Sequence, residues 1–283
     1  MDALSTKNLT KKYDGFTLDN INLSLKKGRV LGLVGGNGAG KSTTLNLIMN
    51  TIKASSGDVE ILGVDNTSSK FTDIKQSIGV VLDNAYFPEV LTIKDINKIM
   101  KGIYKFWNEA TFFSYINEFG LPLNKKFKDF SKGMKMKLSI AVCLSHNAKL
   151  LILDEATGGL DPMAREEIID IFAKYVNDTD NSIIMSSHIV SDLEKICDDI
   201  AFIHKGKLLL NESKEVIYKE YGVIKVLKND FESIDKNAII NYKINGDSIE
   251  VLIFKEKLTN SHYEIITPTL EEVILLMTKE GVK

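Results

Sequence analysis

Short apolar runs alternate with stretches of helical periodicity along most of the chain. Continuous apolar runs at 29–34, 78–82, 150–154 and 182–186 predict buried strands, because each is short and almost wholly apolar. Between the last two runs, apolar residues recur every three or four positions over 168–176, which predicts a crossover helix. This alternation is typical of an α/β fold with a mostly parallel core sheet.

Apolar and polar residues alternate one by one just ahead of the first buried run. Ile21, Leu23 and Leu25 alternate with Asn22 and Ser24, which is the period of a half-exposed strand. We therefore expect an antiparallel β edge before the first core strand.

Residues 84–130 interrupt the strand pattern. Their apolar and aromatic residues recur at helical spacing, over 96–103 and again over 112–119. The segment therefore predicts a helical subdomain inserted between core strands.

The last part of the chain changes character again. Three strand-like runs follow residue 221, at 223–227, 238–244 and 248–254. A final helix is expected between a start at Thr267 and Pro268 and an end at Gly281, which matches the usual capping asymmetry. We expect two domains, residues 1–220 and a small C-terminal α+β domain at 221–283.

Composition narrows the class of protein. The chain has 283 residues, and its formal net charge of −2 provides no global basic field, so we expect no nucleic-acid partner. The two cysteines, Cys143 and Cys197, lie in apolar helical patterns, which favours buried thiols in a reducing compartment. With no signal-peptide pattern and no apolar stretch of about 18 residues, we expect a cytoplasmic chain without a membrane span.

A glycine-rich loop of the pattern GxxxxGKS follows the first buried run. Its residues are Gly35, Gly36, Asn37, Gly38, Ala39, Gly40, Lys41 and Ser42, and Thr43 comes next. Apolar residues at helical spacing over 42–52 predict the helix that follows. Glycines let several backbone N–H groups point at one anion, this helix adds its positive dipole end, and Lys41 carries a mobile charge to the outer phosphates. The loop predicts a nucleoside-triphosphate site in which Ser42 holds Mg²⁺.

Two adjacent carboxylates, Asp154 and Glu155, end the apolar run at 150–154. Parallel strands deliver such side chains to the carboxyl edge of the sheet, where the phosphate loop also lies. We expect Asp154 to reach Mg²⁺, usually through water, and Glu155 to polarise the water that attacks the γ-phosphate. The alternative is a solvated acidic turn, and the phosphate loop makes it the weaker interpretation.

With its remaining motifs the chain resembles the ATP-binding subunits of ABC transporters over residues 3–215. The matching features, in chain order, are Tyr13, the loop at 35–43, the signature-like Phe130, Ser131, Lys132, Gly133 and Met134, the pair Asp154 and Glu155, the turn Gly159, Leu160 and Asp161, and His188. The resemblance implies a P-loop NTPase fold of ABC type, with ATP and Mg²⁺ as cofactors. It also implies ATP hydrolysis coupled to transport.

The resemblance further implies a dimer of two such subunits, identical or related, packed head to tail with each ATP between them. Ser131 and the backbone N–H of Gly133, at the start of a helix expected over 134–146, would bind the γ-phosphate of the ATP held by the opposite subunit. Asp161 would link the two sites across the interface. Tyr13 would stack on adenine.

The same resemblance assigns the catalytic roles. Glu155 would be the general base, while Lys41, His188 and Mg²⁺ stabilise the developing charge. His188 would also sense whether the terminal phosphate is present, by hydrogen-bonding it and the attacking water.

Two positions depart from the family pattern. Asp83 stands where most relatives carry a glutamine, so it is a candidate metal ligand that also adds negative charge near the γ-phosphate. Lys132 and Met134 replace the commoner glycine and glutamine of the signature, and the lysine adds favourable charge beside phosphate. Signatures of this kind resemble those of bacterial exporters with separate membrane subunits.

The implied partner is a transmembrane permease, with the chain peripheral at the inner face of the cell membrane. The helical insert would contact it, and the candidate contacts are Phe87, Pro88, Leu91, Phe106 and Trp107. Aromatic residues at helical spacing are as readily explained by core packing, so both interpretations stay open.

Two other functions compete with transport. One is a non-transport ABC-type ATPase, and the other is a regulatory module that uses nucleotide as a switch. The insert lacks the sustained heptads of chromosome-type relatives, and the sequence shows one ATPase domain where ribosome-associated relatives usually join two. A switch without turnover would be expected to lack the base, whereas Glu155 is present.

Overall fold

The computed structural model describes residues 2–83, 87–177, 181–259 and 263–278. Its strands are β1 (Asp2–Tyr13), β2 (Phe16–Ile21), β3 (Ser24–Lys26), β4 (Val30–Val34), β5 (Ser56–Ile61), β6 (Val64–Asp65), β7 (Ile78–Val81), β8 (Leu150–Asp154), β9 (Ser182–Ser187), β10 (Asp199–His204), β11 (Lys207–Ser213), β12 (Tyr221–Leu227), β13 (Ile239–Asn245) and β14 (Ser248–Phe254). Its helices are α1 (Lys41–Ile48), α2 (Phe71–Ile74), α3 (Ile93–Ile103), α4 (Glu109–Glu118), α5 (Lys132–Leu144), α6 (Pro162–Asn177), α7 (Val190–Ile196), α8 (Lys214–Glu220) and α9 (Leu270–Thr278). In these ranges, no helix has both the length and the apolar character needed to cross a bilayer.

Parallel strands form the centre of the larger sheet, as predicted. They lie in the order β10-β4-β9-β8-β7, and each is hydrogen-bonded in parallel to the next. The register pairs Asp154, the last residue of β8, with Ser186 in β9. The phosphate loop after β4, Glu155 after β8 and His188 after β9 therefore emerge at one edge of the sheet.

Both faces of these central strands are buried. In β4, Leu31 and Leu33 belong to the core cluster that includes α1, whereas Val30 and Val34 face the cluster formed with α5 and α6. Because both faces need apolar side chains, these strands appear in the sequence as continuous apolar runs. The crossover helix predicted over 168–176 is α6, whose buried Phe172 fills the second cluster.

The antiparallel edge was expected as one strand over 21–25, and this detail was wrong. The chain breaks between β2 and β3, and both strands pair antiparallel with β1. The buried hydroxyl of Thr6 stabilises the break, because it donates to the carbonyl of Ile21 and accepts from the N–H of Leu23. The edge also extends through β5 and β6, which come after the phosphate loop.

A hairpin that we did not predict joins this edge to the parallel core. Its strand β10 pairs in parallel with β4 and antiparallel with β11. Lys205 and Gly206 form the turn with φ of 47° and 77°, which is the left-handed geometry of a two-residue hairpin loop. The buried apolar run within β10 and this Lys-Gly turn were the available signals.

The segment expected to be a helical subdomain contains α3 and α4, while its first residues, from Asn84, lie outside the described residues. Thr92 and Asp95 form a capping box that starts α3. The indole N–H of Trp107 donates to Asn97 at 2.9 Å, and Phe112 is fully buried beside it. The aromatic pattern of this segment is therefore mainly core.

Helix limits differ from expectation at three places. The helix expected over 42–52 ends at Ile48, since Asn50 takes a left-handed conformation with φ of 53°. Helix α5 starts at Lys132 rather than Met134, because Ser131 caps it. Helix α9 starts after Thr269, which forms a capping box with Glu272, rather than at Thr267.

Residues after 220 form a three-stranded antiparallel sheet in the order β12-β14-β13, with α9 against it. On one face of this sheet, Ile224 and Val251 belong to a separate apolar cluster. Val223 and Leu252 of the sheet and Val273 of α9 instead join the core of the ATPase part. The expected end of the last helix at Gly281 lies outside the described residues. The division at 220 and 221 stays a prediction, and the shared core shows that the two parts pack on each other.

Candidate nucleotide site

The phosphate loop curls around the start of α1. Gly38 and Gly40 have φ of 75° and 118°, and a Cβ on Gly40 would lie 2.6 Å from Cδ1 of Leu18. Only glycine fits this turn without strain or collision. The loop residues 36–43 line a cavity of about 640 Å³, which we call the nucleotide cavity.

Lys41 is the buried cation of the nucleotide cavity. Its side chain is 7% exposed, and its Nζ donates to the carbonyl of Gly35 at 2.7 Å. The same Nζ lies 3.6 Å from Oε1 of Glu155. A largely buried ammonium needs compensating oxygens, so phosphate oxygens can take the place of these contacts when a nucleotide binds.

Ser186 contacts both acidic residues at the end of β8, Asp154 through its carboxylate and Glu155 through its backbone. Its hydroxyl donates to Oδ1 of Asp154 at 2.5 Å and accepts from the N–H of Glu155 at 3.1 Å. Glu155 has φ of 52°, a left-handed conformation that is uncommon for a residue other than glycine. Sequence reasoning missed Ser186, although its place at the end of an apolar strand next to β8 was a usable signal.

His188 contacts Glu155 from the other side. Nδ1 of His188 lies 2.5 Å from Oε2 of Glu155, and the backbone N–H of His188 donates to the same oxygen at 3.3 Å. Glu155 is only 18% exposed, whereas His188 is 59% exposed. The structure thus brings Lys41, Glu155 and His188 into one continuous line of contacts, in which Lys41 and Glu155 line the nucleotide cavity and His188 lies behind Glu155, outside that lining.

The residues expected to hold Mg²⁺ share the nucleotide cavity. Ser42, Asp83 and Asp154 all line it, and their hydroxyl and carboxylate oxygens are the ligands that a hard cation prefers. Among the described residues, no three His, Cys, Asp or Glu side chains are grouped to hold a metal ion. This donor set fits Mg²⁺ that is completed by water and phosphate oxygens rather than by protein alone.

Two aromatic rings also line the nucleotide cavity. Tyr13 is 45% exposed and stacks on Phe16 with 6.5 Å between ring centroids. Lys11 places its ammonium 5.3 Å from the centre of the Tyr13 ring. Phe16 also lines the cavity but was missed, although an aromatic residue directly beyond the Asp14-Gly15 turn was visible in the sequence.

The other predicted nucleotide contacts lie outside the residues that line this cavity. Ser131 caps α5 and accepts from the N–H of Met134 at 3.2 Å, and Asp161 accepts from the N–H of Ala164 at 3.0 Å. This backbone hydrogen bond lowers the pKa of the exposed Asp161, so its carboxylate stays ionised. A Cβ on Gly133 would lie 3.5 Å from Leu160, which shows that the two segments adjoin.

We call this second group the signature corner. Its members are Ser131, Lys132, Gly133, Gly159, Leu160 and Asp161. An ion pair connects it with the nucleotide cavity, since Nζ of Lys132 lies 3.2 Å from Oδ1 of Asp83.

Fold and cavity together define a P-loop nucleotide-binding protein with an outward-facing second motif. A family model described as ABC transporter matches residues 18–158. The ABC transporter ATP-binding protein YhcH of Bacillus subtilis (strain 168) is 30% identical, over 98% of this chain and 96% of its own length. The bacitracin transport ATP-binding protein BcrA of Bacillus licheniformis is 36% identical, over 73% of this chain and 68% of its own.

Solved structures agree in fold. An ATP-binding subunit of an ABC transporter superposes with a TM-score of 0.70 at 25% identity, covering 77% of this chain and 92% of that one. The ATP-binding cassette MJ0796, solved as a dimer with ADP and phosphate, superposes with a TM-score of 0.67 at 23% identity, covering 74% and 98%. The chain belongs to the family of ABC transporter ATP-binding proteins. It is an ATPase that powers transport, which confirms the prediction from its motifs and disfavours both competing functions.

Proposed function

We propose that two ATPase subunits close head to tail around ATP and drive a separate permease, in the direction of export. One observation carries the dimer. The nucleotide cavity holds the phosphate loop, the metal ligands and Glu155, whereas Ser131, Gly133 and Asp161 lie outside its lining and at the surface. The signature corner has the hydroxyl and N–H groups that bind phosphate, but it can reach the phosphates of ATP only if a second subunit presents them.

The roles within one cavity follow from its contacts. Residues 35–43 bind the phosphates, Lys41 turns from Glu155 to the β- and γ-phosphates, and Tyr13 stacks on adenine with Phe16 behind it. Glu155, released from Lys41, accepts a proton from the attacking water, and His188 holds that water and the γ-phosphate. In this role the short contact between His188 and Glu155 orients the base.

Mg²⁺ completes the site in this proposal. Ser42 and Asp154 would hold it, with Asp83 approaching through water, and Ser186 fixes the position of Asp154. When bound, Mg²⁺ neutralises charge on the phosphate oxygens.

From the opposite subunit, Ser131 contributes its hydroxyl and Gly133 its backbone N–H to the γ-phosphate, and Asp161 lies between the two sites. The MJ0796 cassette, which shares the fold, was solved as a dimer. The partner is a second copy of this chain or a related ATPase.

A transmembrane permease is the proposed partner at the membrane, which makes this chain peripheral at its inner face. The names of the relatives support this, since YhcH and BcrA are ATP-binding proteins of transporters. Export rests on the likeness of the signature to those of bacterial exporters. The C-terminal residues 221–283 are proposed as a separate α+β domain that packs on the ATPase part.

The structure divides the candidate docking residues into half-buried and exposed side chains. Phe87, Leu91 and Trp107 are half-buried and pack on the core, with the ring of Phe87 edge-on to Phe127 at 5.5 Å. Among the described residues of the insert, Phe106 and Val90 are the most exposed large apolar side chains, at 64% and 67%, and the candidate Pro88 is exposed as well, so a permease can reach all three.

Small-angle scattering of a Glu155→Gln variant tests the dimer. With ATP and Mg²⁺ we expect a compact dimer, because the substitution removes the base and leaves both phosphate-binding surfaces intact. A variant that stays monomeric at every nucleotide and protein concentration would overturn the head-to-tail proposal.

Copurification from membranes tests the permease. We expect a polytopic membrane protein to copurify with the wild-type chain, and Phe106→Asp to reduce its yield.

A further inference from the structure

Lys132 contacts two functional segments at once. Its Nζ lies 3.2 Å from Oδ1 of Asp83, and its stem lies over Gly159, where a Cβ would come within 3.0 Å of Cδ. Asp83 follows β7 and lines the nucleotide cavity, whereas Lys132 is the first residue of α5. This ion pair therefore connects the nucleotide cavity with the signature corner of the same subunit.

The charges in the cavity explain what this pair can do. Three carboxylates line it, and a triphosphate brings further negative charge. Asp154 is hydrogen-bonded by Ser186, and Glu155 is held between Lys41 and His188. Within the described part of the chain, Asp83 has Lys132 as the cation at ion-pair distance. Without it, the Asp83 carboxylate would repel the phosphates at close range.

We propose that Lys132 is a positioning residue for the nucleotide bound by its own subunit. Its ammonium neutralises Asp83 and holds that carboxylate at the rim of the cavity, so that ATP enters against less repulsion. This deepens the proposed function, because it gives a residue of the signature corner a role within the same subunit. The two departures from the family pattern, Asp83 and Lys132, then act as one paired unit.

The exposure of the pair sets its strength. Lys132 and Asp83 are 55% and 47% exposed, so water and salt screen their attraction. The expected effect on binding is small, about two- to fivefold. A weak pair also leaves Lys132 free to move to a partner's γ-phosphate when the dimer closes.

A double-mutant cycle on monomers tests the proposal. ATP is titrated in EDTA and low salt by calorimetry, at protein concentrations where scattering shows monomers. We expect Lys132→Gln to weaken binding about two- to fivefold, and Lys132→Arg to retain the wild-type value. In an Asp83→Asn background, Lys132→Gln should have no further effect, and high salt should remove the difference between wild type and Lys132→Gln.

Lys135→Gln is the matched control. It removes the same charge from the same helix, but its ammonium lies 4.9 Å from the centre of the Phe127 ring rather than at Asp83. We expect it to leave binding unchanged. The proposal would be overturned if Lys132→Gln lowered ATP affinity equally in the wild-type and Asp83→Asn backgrounds, or did not lower it at all. Failure of the wild-type monomer to bind ATP would instead overturn the nucleotide site itself.

Discussion

The nucleotide cavity and the signature corner are built in opposite ways. In the cavity, the side chains that carry charge are held before any ligand binds: Lys41 by the Gly35 carbonyl and Glu155, and Asp154 by Ser186. In the corner, Ser131 and Asp161 are exposed and make only local capping bonds. A preorganised site can bind ATP within one subunit. The exposed helix starts of the signature corner, by contrast, contact ATP only when a second subunit brings it.

The largest expected effect lies in the cavity. Glu155→Gln keeps the shape but removes the proton acceptor, so we expect ATP hydrolysis to fall about 10²–10⁴-fold with little change in ATP affinity. Phosphate release and calorimetry measure the two quantities. Glu166→Gln, at an exposed ion pair with Lys195, is the control and should hydrolyse normally. An equal fall in affinity would mean that Glu155 positions ATP rather than the attacking water.

Substitutions in the signature corner should lower the rate of ATP hydrolysis without changing the affinity of the monomer for ATP. We expect Ser131→Ala to lower hydrolysis about ten- to a hundredfold, because it removes a hydroxyl from the partner's γ-phosphate. ATP binding to isolated monomers should not change.

Ser213→Ala provides the matched control, since Ser213 caps α8 in the same way, accepting from the N–H of Val216 at 3.2 Å. Each substitution should cost about 1 kcal/mol of stability, visible in urea unfolding. If both variants lose the same share of activity, the comparison between cavity and corner fails, because the loss then reports only a missing cap.

A residue behind the cavity is expected to have an intermediate effect. Ser186→Ala frees Asp154 and the N–H of Glu155, so we expect the Mg²⁺ concentration that supports ATP binding to rise about tenfold. Binding of ATP in EDTA should stay close to wild type. Ser182→Ala, which removes an equally buried hydroxyl at the other end of β9, should leave the Mg²⁺ requirement as it is.

The smallest effect on ATP binding is expected at the two aromatic rings, Tyr13 and Phe16. Phe16→Leu should weaken ATP binding about two- to fivefold, because Tyr13 loses the ring on which it stacks. Tripolyphosphate has no base, so competition binding with it should give the same affinity for variant and wild type. A parallel loss for both ligands would show that Phe16 supports the phosphate loop, where it also approaches Gly40.

The motifs were readable from the sequence because each occupies consecutive residues. The loop at 35–43 and the pair Asp154 and Glu155 carry their chemistry in residue type and order. Ser186 and Phe16 were missed, because their roles depend on which strand or turn lies beside them. Three of the five candidate docking residues, Phe87, Leu91 and Trp107, are half-buried for a related reason. Apolar periodicity marks the buried face of a helix, and residue type alone does not separate Phe87, which packs on the core, from the exposed Phe106.

The sequence by itself determined the family, the phosphate loop and the strand that bears the carboxylates, because local order is enough to specify a strand, a glycine turn and a helix start. Only the tertiary structure decided that Ser186 holds both carboxylate residues, that His188 contacts Glu155, and that Asp83 pairs with Lys132. These contacts join residues that lie 31 to 49 positions apart. Their geometry depends on strand order and register, which residue type and spacing do not specify.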